Sequence, residues 1–206
     1  MQEIDRFEIF PIEKETIKIR LFFTIIYFKD RVLLREDYID KVLNEYKREN
    51  ELEKNEPDIW ETTLLVEQLV EIDYRMMLMY LSLICQMFEQ FLLNIIIEKL
   101  NLQKGIDFGD LNEKFKEYGF DFKEVSSWDK IYELRILVNV IKHADGSSKN
   151  KLIELRPYYF YDNANNMIKN TINDMKLNIK AKDFFEYANA IMKFIDEMPN
   201  VYKKEH

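Results

Sequence analysis

A chain of 206 residues, 47% hydrophobic and 33% charged, has the length of one globular domain, and its 15 Phe, 12 Tyr and 2 Trp supply enough apolar mass to exclude a disordered protein. Only four Gly and four Pro occur, against roughly ten or more of each in average usage, which disfavours a turn-rich sandwich or barrel and favours long helices. The net charge of -8 excludes a protein that coats nucleic acid by bulk electrostatics, so any RNA site must be a local patch.

Taken in chain order, Pro11 suits a first helical turn, and residues 12 to 48 carry apolar positions interleaved with charges at helical spacing. Within them LFFTIIYF (21 to 28) is β-branched and aromatic enough to allow a strand, although helix is the preferred reading. The charged stretch ENELEKNEPD (49 to 58) reads as a solvated connector. This gives a division into an N-terminal helical segment with its connector (1–57) and a helical bundle (58–206), together one compact domain. From Asp58 to Asn101 neither Gly nor Pro occurs, and Leu65, Leu69, Ile72, Met76, Tyr80, Leu83, Met87, Phe91 and Ile95 recur every three or four residues. That is one long amphipathic helix, apolar on nearly every side in its second half, hence a central bundle helix or one shared with a partner chain. Glu89, among Met87, Phe88 and Phe91, reads as a polar or salt-bridged position rather than a functional buried carboxylate.

Beyond the link at 103–109, Asp110 is placed to cap a short helix LNEKFKEY that Gly119 stops. Ser126 or Ser127 then caps a helix from Trp128 to about His143, with Asp129 in capping-box register, and Gly146 follows it. KNKLIELRPYYFY (149 to 161) reads as extended or irregular. Residues 163 to 175 and 182 to 198 read as two closing helices, the last clearly amphipathic. The fold class is therefore all-α: a helical bundle with one long central helix. The lone Cys85 fits a reducing compartment. The charged start MQEIDRFEIF and the lack of an uninterrupted run of about 18 apolar residues lead us to expect a cytoplasmic chain with no membrane association.

On a wheel of about 100° per residue, Arg135, Asn139, Tyr132, His143 and Lys142 share an arc of roughly 100°, while from Ile131 onward the remaining circumference is apolar apart from Glu133. A neutral imidazole near pH 7 can take a proton from a ribose hydroxyl, and a guanidinium or ammonium beside it can hold phosphate oxygens as charge builds. The alternative is a half-buried polar face whose terminal Lys142 and His143 complement the helix dipole. His143 is the only histidine besides His206, so cleavage through two imidazoles requires a symmetric dimer. No cysteine, histidine or acidic spacing fits a metal site, and no cofactor motif occurs. Arg156-Pro-Tyr-Tyr-Phe-Tyr161 reads as aromatic packing, or as a surface on which bases stack.

ELRILVNVIKHADG (133 to 146), following the long helix with YLSLICQMFEQFL, resembles the HEPN superfamily (higher eukaryotes and prokaryotes nucleotide-binding). The family's motif is an Arg, commonly followed by a polar residue, then a short spacer and a His. Asn139 and His143 match the polar residue and the His. The Arg stands one turn earlier, at Arg135, because position 138 holds Val138. The resemblance implies a homodimeric, metal-independent endoribonuclease that needs no cofactor and serves bacterial anti-phage defence or a toxin–antitoxin system. In it His143 is the acid/base, Arg135 and Lys142 hold phosphate, and Asn139 orients the His or the substrate. RNA, a second copy of the chain and an antitoxin or other protein are the partners it implies. The alternative is a catalytically silent HEPN-like module that binds a partner protein or a nucleotide.

Overall fold

The computed structural model describes residues 6–33, 57–100, 108–143, 146–161 and 177–204, with a few positions between 40 and 48. Residues 49–56 of the connector expected at 49–58, residues 103–107 of the link expected at 103–109, and the closing helix expected at 163–175 lie outside the described residues, while 57–58 and 108–109 begin helices. Within them the chain is an all-α bundle of six helices with one two-stranded ladder.

Helix α1 (Pro11–Phe28) begins at its proline, whose missing N–H would be an orphan in the first turn anyway. The carboxylate of Glu13 accepts from the backbone N–H of Phe10. LFFTIIYF is helical because Leu21, Thr24 and Phe28 fall on one face and are buried there, and that burial outweighs a propensity penalty of a few tenths of a kcal/mol per β-branched residue. A short π turn, Lys29–Leu33, ends this part and buries Val32.

Helix α2 (Pro57–Leu100) is 44 residues and about 66 Å long. It packs against α1, α3 (Phe108–Lys116), α4 (Trp128–His143) and α6 (Ala181–Glu197). Its buried line is Met77, Leu81, Ile84, Cys85, Phe88, Leu92, Ile95 and Ile96. The stripe expected from the sequence lies mostly to one side of it, with Ile72 and Leu83 exposed. A helix apolar on nearly all sides does not encode which side its neighbours take. By length and composition the stretch Glu67–Leu100 is also apolar enough to cross a membrane, more than the count of uninterrupted apolar residues suggested. In the bundle it is the helix to which four others attach.

Helix α3 starts two residues before Asp110, which sits in its first turn rather than at its cap. Gly119 stops it at φ 76, letting Phe120 N–H reach Phe115 C=O at 3.1 Å. Neither serine caps α4: Ser126 Oγ donates to Glu197 at 2.7 Å, and Ser127 Oγ is buried with no hydrogen-bond partner among the described residues. The segment expected to be extended is instead α5 (Ser147–Leu155) followed by a 3-10 turn (Pro157–Phe160). Helix α5 packs along α4 with Leu152 fully buried. Nine residues present so few inward positions that no helical period is visible in the sequence.

Helix α6 buries Phe184, Tyr187, Ala188, Ile191, Phe194 and Ile195. Strands β1 (Arg6–Glu8) and β2 (Val201–Lys203) then pair antiparallel, with Phe7 opposite Tyr202 and their rings stacked at 4.6 Å. Around them Phe115, Phe120, Phe122, Trp128 and Phe194 form one aromatic cluster. The N-terminal segment therefore shares the core of the bundle.

Candidate functional site

Helix α4 separates its side chains by face. Leu134, Leu137, Val138 and Val140 are buried and Ile141 is half-buried, while Tyr132, Asn139, Lys142 and His143 are exposed. Arg135 lies between the two classes, its side chain 25% exposed. Val138, which stands where the HEPN pattern has its Arg, is 3% exposed in the core. An Arg introduced there would bury a charge, so Val138→Arg destabilises the bundle rather than restoring a site.

The five polar residues do not form one constellation within a chain. Arg135 and His143 are two helical turns apart, about 12 Å along the axis, while Asn139 lies about 6 Å from each and Lys142 is adjacent to His143. Arg135 is also engaged: its Nε donates to Glu89 Oε1 on α2 at 2.8 Å, and its guanidinium carbon sits 3.6 Å from the centre of the Phe108 ring. Glu89 is thus the salt-bridged residue its neighbours suggested, and it faces α4. Cys85, one turn before it, has its thiol pushed up to about 12, chiefly by burial and further by the Glu89 carboxylate, against the opposing charges of Arg135 and Lys142. That thiol stays protonated and unreactive, and the Lys142 charge reaches the same neighbourhood as the Arg135–Glu89 pair.

A second polar cluster lies behind the face. Glu133, on the mostly apolar side of the helix, is buried and accepts from Tyr187 Oη at 2.6 Å and Arg156 Nε at 2.7 Å, with Lys130 Nζ at 3.4 Å. Tyr187 Oη also meets Tyr159 Oη at 3.0 Å. Burial pushes both phenols far up, so each keeps the proton it donates. This cluster ties α4 to the 3-10 turn and α6. The only signal in the sequence is a carboxylate at an inward wheel angle, and its partners lie too far along the chain to be recognised. Arg156 is accordingly committed to structure. Its aromatic neighbours divide, Tyr159 and Phe160 buried, Tyr158 and Tyr161 exposed.

The larger depressions among the described residues lie elsewhere. One of 570 Å³ runs between α1 and α2, beside Thr16, Arg20, Gln86, Gln90 and Asn94; the other, of 610 Å³, is lined by Tyr74, Met77, Ile179 and Lys180 among others. Neither has a lining residue from α4. Among the described residues no group of three or more His, Cys, Asp or Glu is placed to hold a metal ion. Compared with models of protein families, with curated proteins and with solved structures, the chain matches none.

Proposed function

We propose that two copies of this chain form a metal-independent endoribonuclease of HEPN type, an RNA-cleaving effector of bacterial anti-phage defence or a toxin–antitoxin system. The observation that carries this reading is the exposed run of Asn139, Lys142 and His143 on the last two turns of a helix whose other faces are core. His143 takes the proton of a ribose 2′-hydroxyl, the 2′-oxygen attacks phosphorus, and the bond to the 5′-oxygen breaks, leaving a 2′,3′-cyclic phosphate. The second copy's imidazole protonates the departing 5′-oxygen. Lys142 neutralises the phosphate oxygens and Asn139 orients His143 or the substrate.

For both imidazoles to act on one phosphate, the two-fold axis must pass near His143. Arg135 then lies about 12 Å along the helix from that phosphate and meets one further along the strand. The test is cleavage of single-stranded and transfer RNA with EDTA present, scored for 2′,3′-cyclic phosphate ends. His143→Ala should lower the rate by about 10² to 10⁴ while leaving folding intact. Undiminished cleavage by that variant excludes the mechanism.

One observation favours a second reading. The Glu89 carboxylate already neutralises Arg135, which suits a catalytically silent module that binds a partner protein or a nucleotide. No cleavage by the wild type across varied RNAs would select it.

A further inference from the structure

Helix α4 presents its cations in two different states. Lys142 is exposed, whereas Arg135 has its Nε taken by Glu89 Oε1 at 2.8 Å and one face of its guanidinium covered by Phe108 at 3.6 Å. The two partners act differently on a charge. The Phe108 ring leaves the guanidinium's charge intact and restricts its plane, whereas the Glu89 carboxylate cancels the charge. Both side chains of the ion pair are about one quarter exposed, so solvent and a dissolved polyanion can reach them. A phosphate approaching Arg135 must compete with Glu89 for the same cation and meets the repulsion of that carboxylate as it does so.

We propose that Glu89 is the affinity-setting residue of the α4 face, an internal competitor that occupies Arg135 in the free protein and yields it when a polyanion binds. This rests on reading α4 as a phosphate-binding face, and it adds how strongly that face binds and which residue sets the strength. In the free protein the face carries Lys142 as its net charge, with Arg135 offset. On binding, Glu89 gives up the guanidinium, and Phe108 keeps it in place for the phosphate.

The experiment compares wild type with Glu89→Gln, which removes the charge at nearly constant shape, with Arg135→Ala and with the double variant. Two probes are used with EDTA present. One is a single-stranded 2′-O-methyl RNA, which cannot be cleaved through its 2′-oxygen, and the other is inorganic tripolyphosphate. Glu89→Gln should bind both about two- to fivefold tighter, the scale of a partly exposed ion pair. For the RNA it should steepen log K against log salt by about 0.7, because in wild type the carboxylate that gives up the arginine takes up a cation as one phosphate of the single strand releases its own, and the Gln variant has no such offset. A purely structural role for Glu89 would not change that slope. The double variant should bind no tighter than Arg135→Ala, because the effect passes through the arginine. Unchanged or weaker binding by a folded Glu89→Gln overturns the proposal, and so does tightening that persists without Arg135. If Glu89→Gln does not fold, the wild-type Arg135 Nε–H resonance decides, since one that does not move at saturating tripolyphosphate overturns the exchange. If tripolyphosphate behaves as stated while no variant binds the RNA, the role of Glu89 stands and the ribonuclease reading falls. If no polyanion binds at all, both fall.

Discussion

At the scale of single residues, two carboxylates at α4 differ in accessibility, Glu89 reaching it from α2 and Glu133 borne on α4 itself. Glu89 is partly exposed and opposes a cation that solvent can reach, whereas Glu133 is buried and accepts from Arg156 and Tyr187. Removing a buried carboxylate strands its donors, which is why breaking such a pair costs more than the pair contributes. Glu133→Ala should therefore lower stability by about 3–5 kcal/mol, and Tyr187→Phe by about 1 kcal/mol. In thermal unfolding the first corresponds to a fall of roughly 6–20 °C for a chain of this size. A Glu133→Ala midpoint within about 2 °C of wild type would show that the cluster does not hold the bundle together. At this scale the sequence shows the residue types on each face of α4, because a helical wheel depends only on local geometry. It does not show that Arg135 meets Glu89, a pairing across 46 positions that packing decides.

At the scale of elements, the start of α4 is anchored from outside. Ser126 donates through Oγ and N–H to the carboxylate of Glu197 at the end of α6, and this hydroxyl contact holds the Glu197 carboxyl below its ordinary value of 4.5. Just before, Asp121 accepts from Lys123 N–H at 2.9 Å and lies 3.0 Å from Lys116 Nζ, and these contacts hold it below its ordinary 3.8, the backbone bond contributing most. A carboxyl with a depressed folded pKa contributes stability that is fully present above its ordinary value and is lost as pH falls through the folded one. Unfolding midpoints should therefore be flat above pH 4.5 as far as these two groups are concerned and decline below it. Ser126→Ala and Asp121→Asn should each make that decline shallower, and an acid limb identical to wild type in both would remove these contacts from the account. Periodicity locates the long helices well, because their apolar positions repeat. It fails for α5, with nine residues, and for the three-residue strands, whose pairing joins opposite ends of the described chain.

At the scale of the whole molecule, the excess apolar surface is not where the sequence suggests. Most of residues 76–97 is covered by neighbouring helices, leaving Met79 and Leu83 as the exposed large apolar side chains there, whereas α1 exposes Ile12, Ile19, Phe22, Phe23, Ile26 and Tyr27. The composite site requires a dimer with the α4 helices adjoining. Light scattering at tens of micromolar should then give twice the chain mass of 25.1 kDa. Phe22→Glu with Phe23→Glu should leave that mass unchanged if α4 supplies the interface, and halve it if α1 does. A monomeric wild type would remove the composite site.

The helical class follows from scarce Gly and Pro and repeating apolar positions, and the spacing of polar residues shows which of them share the solvent face of α4. Both are properties of local backbone geometry, readable from spacing alone. Packing sets the rest: which side of α2 is core, that Val138 is closed to an arginine, that Glu133 is satisfied by Tyr187 and Arg156, and that Arg135 rests on Glu89 and Phe108. Those outcomes depend on which distant elements pack together, and a helix apolar around most of its circumference leaves that choice to its neighbours.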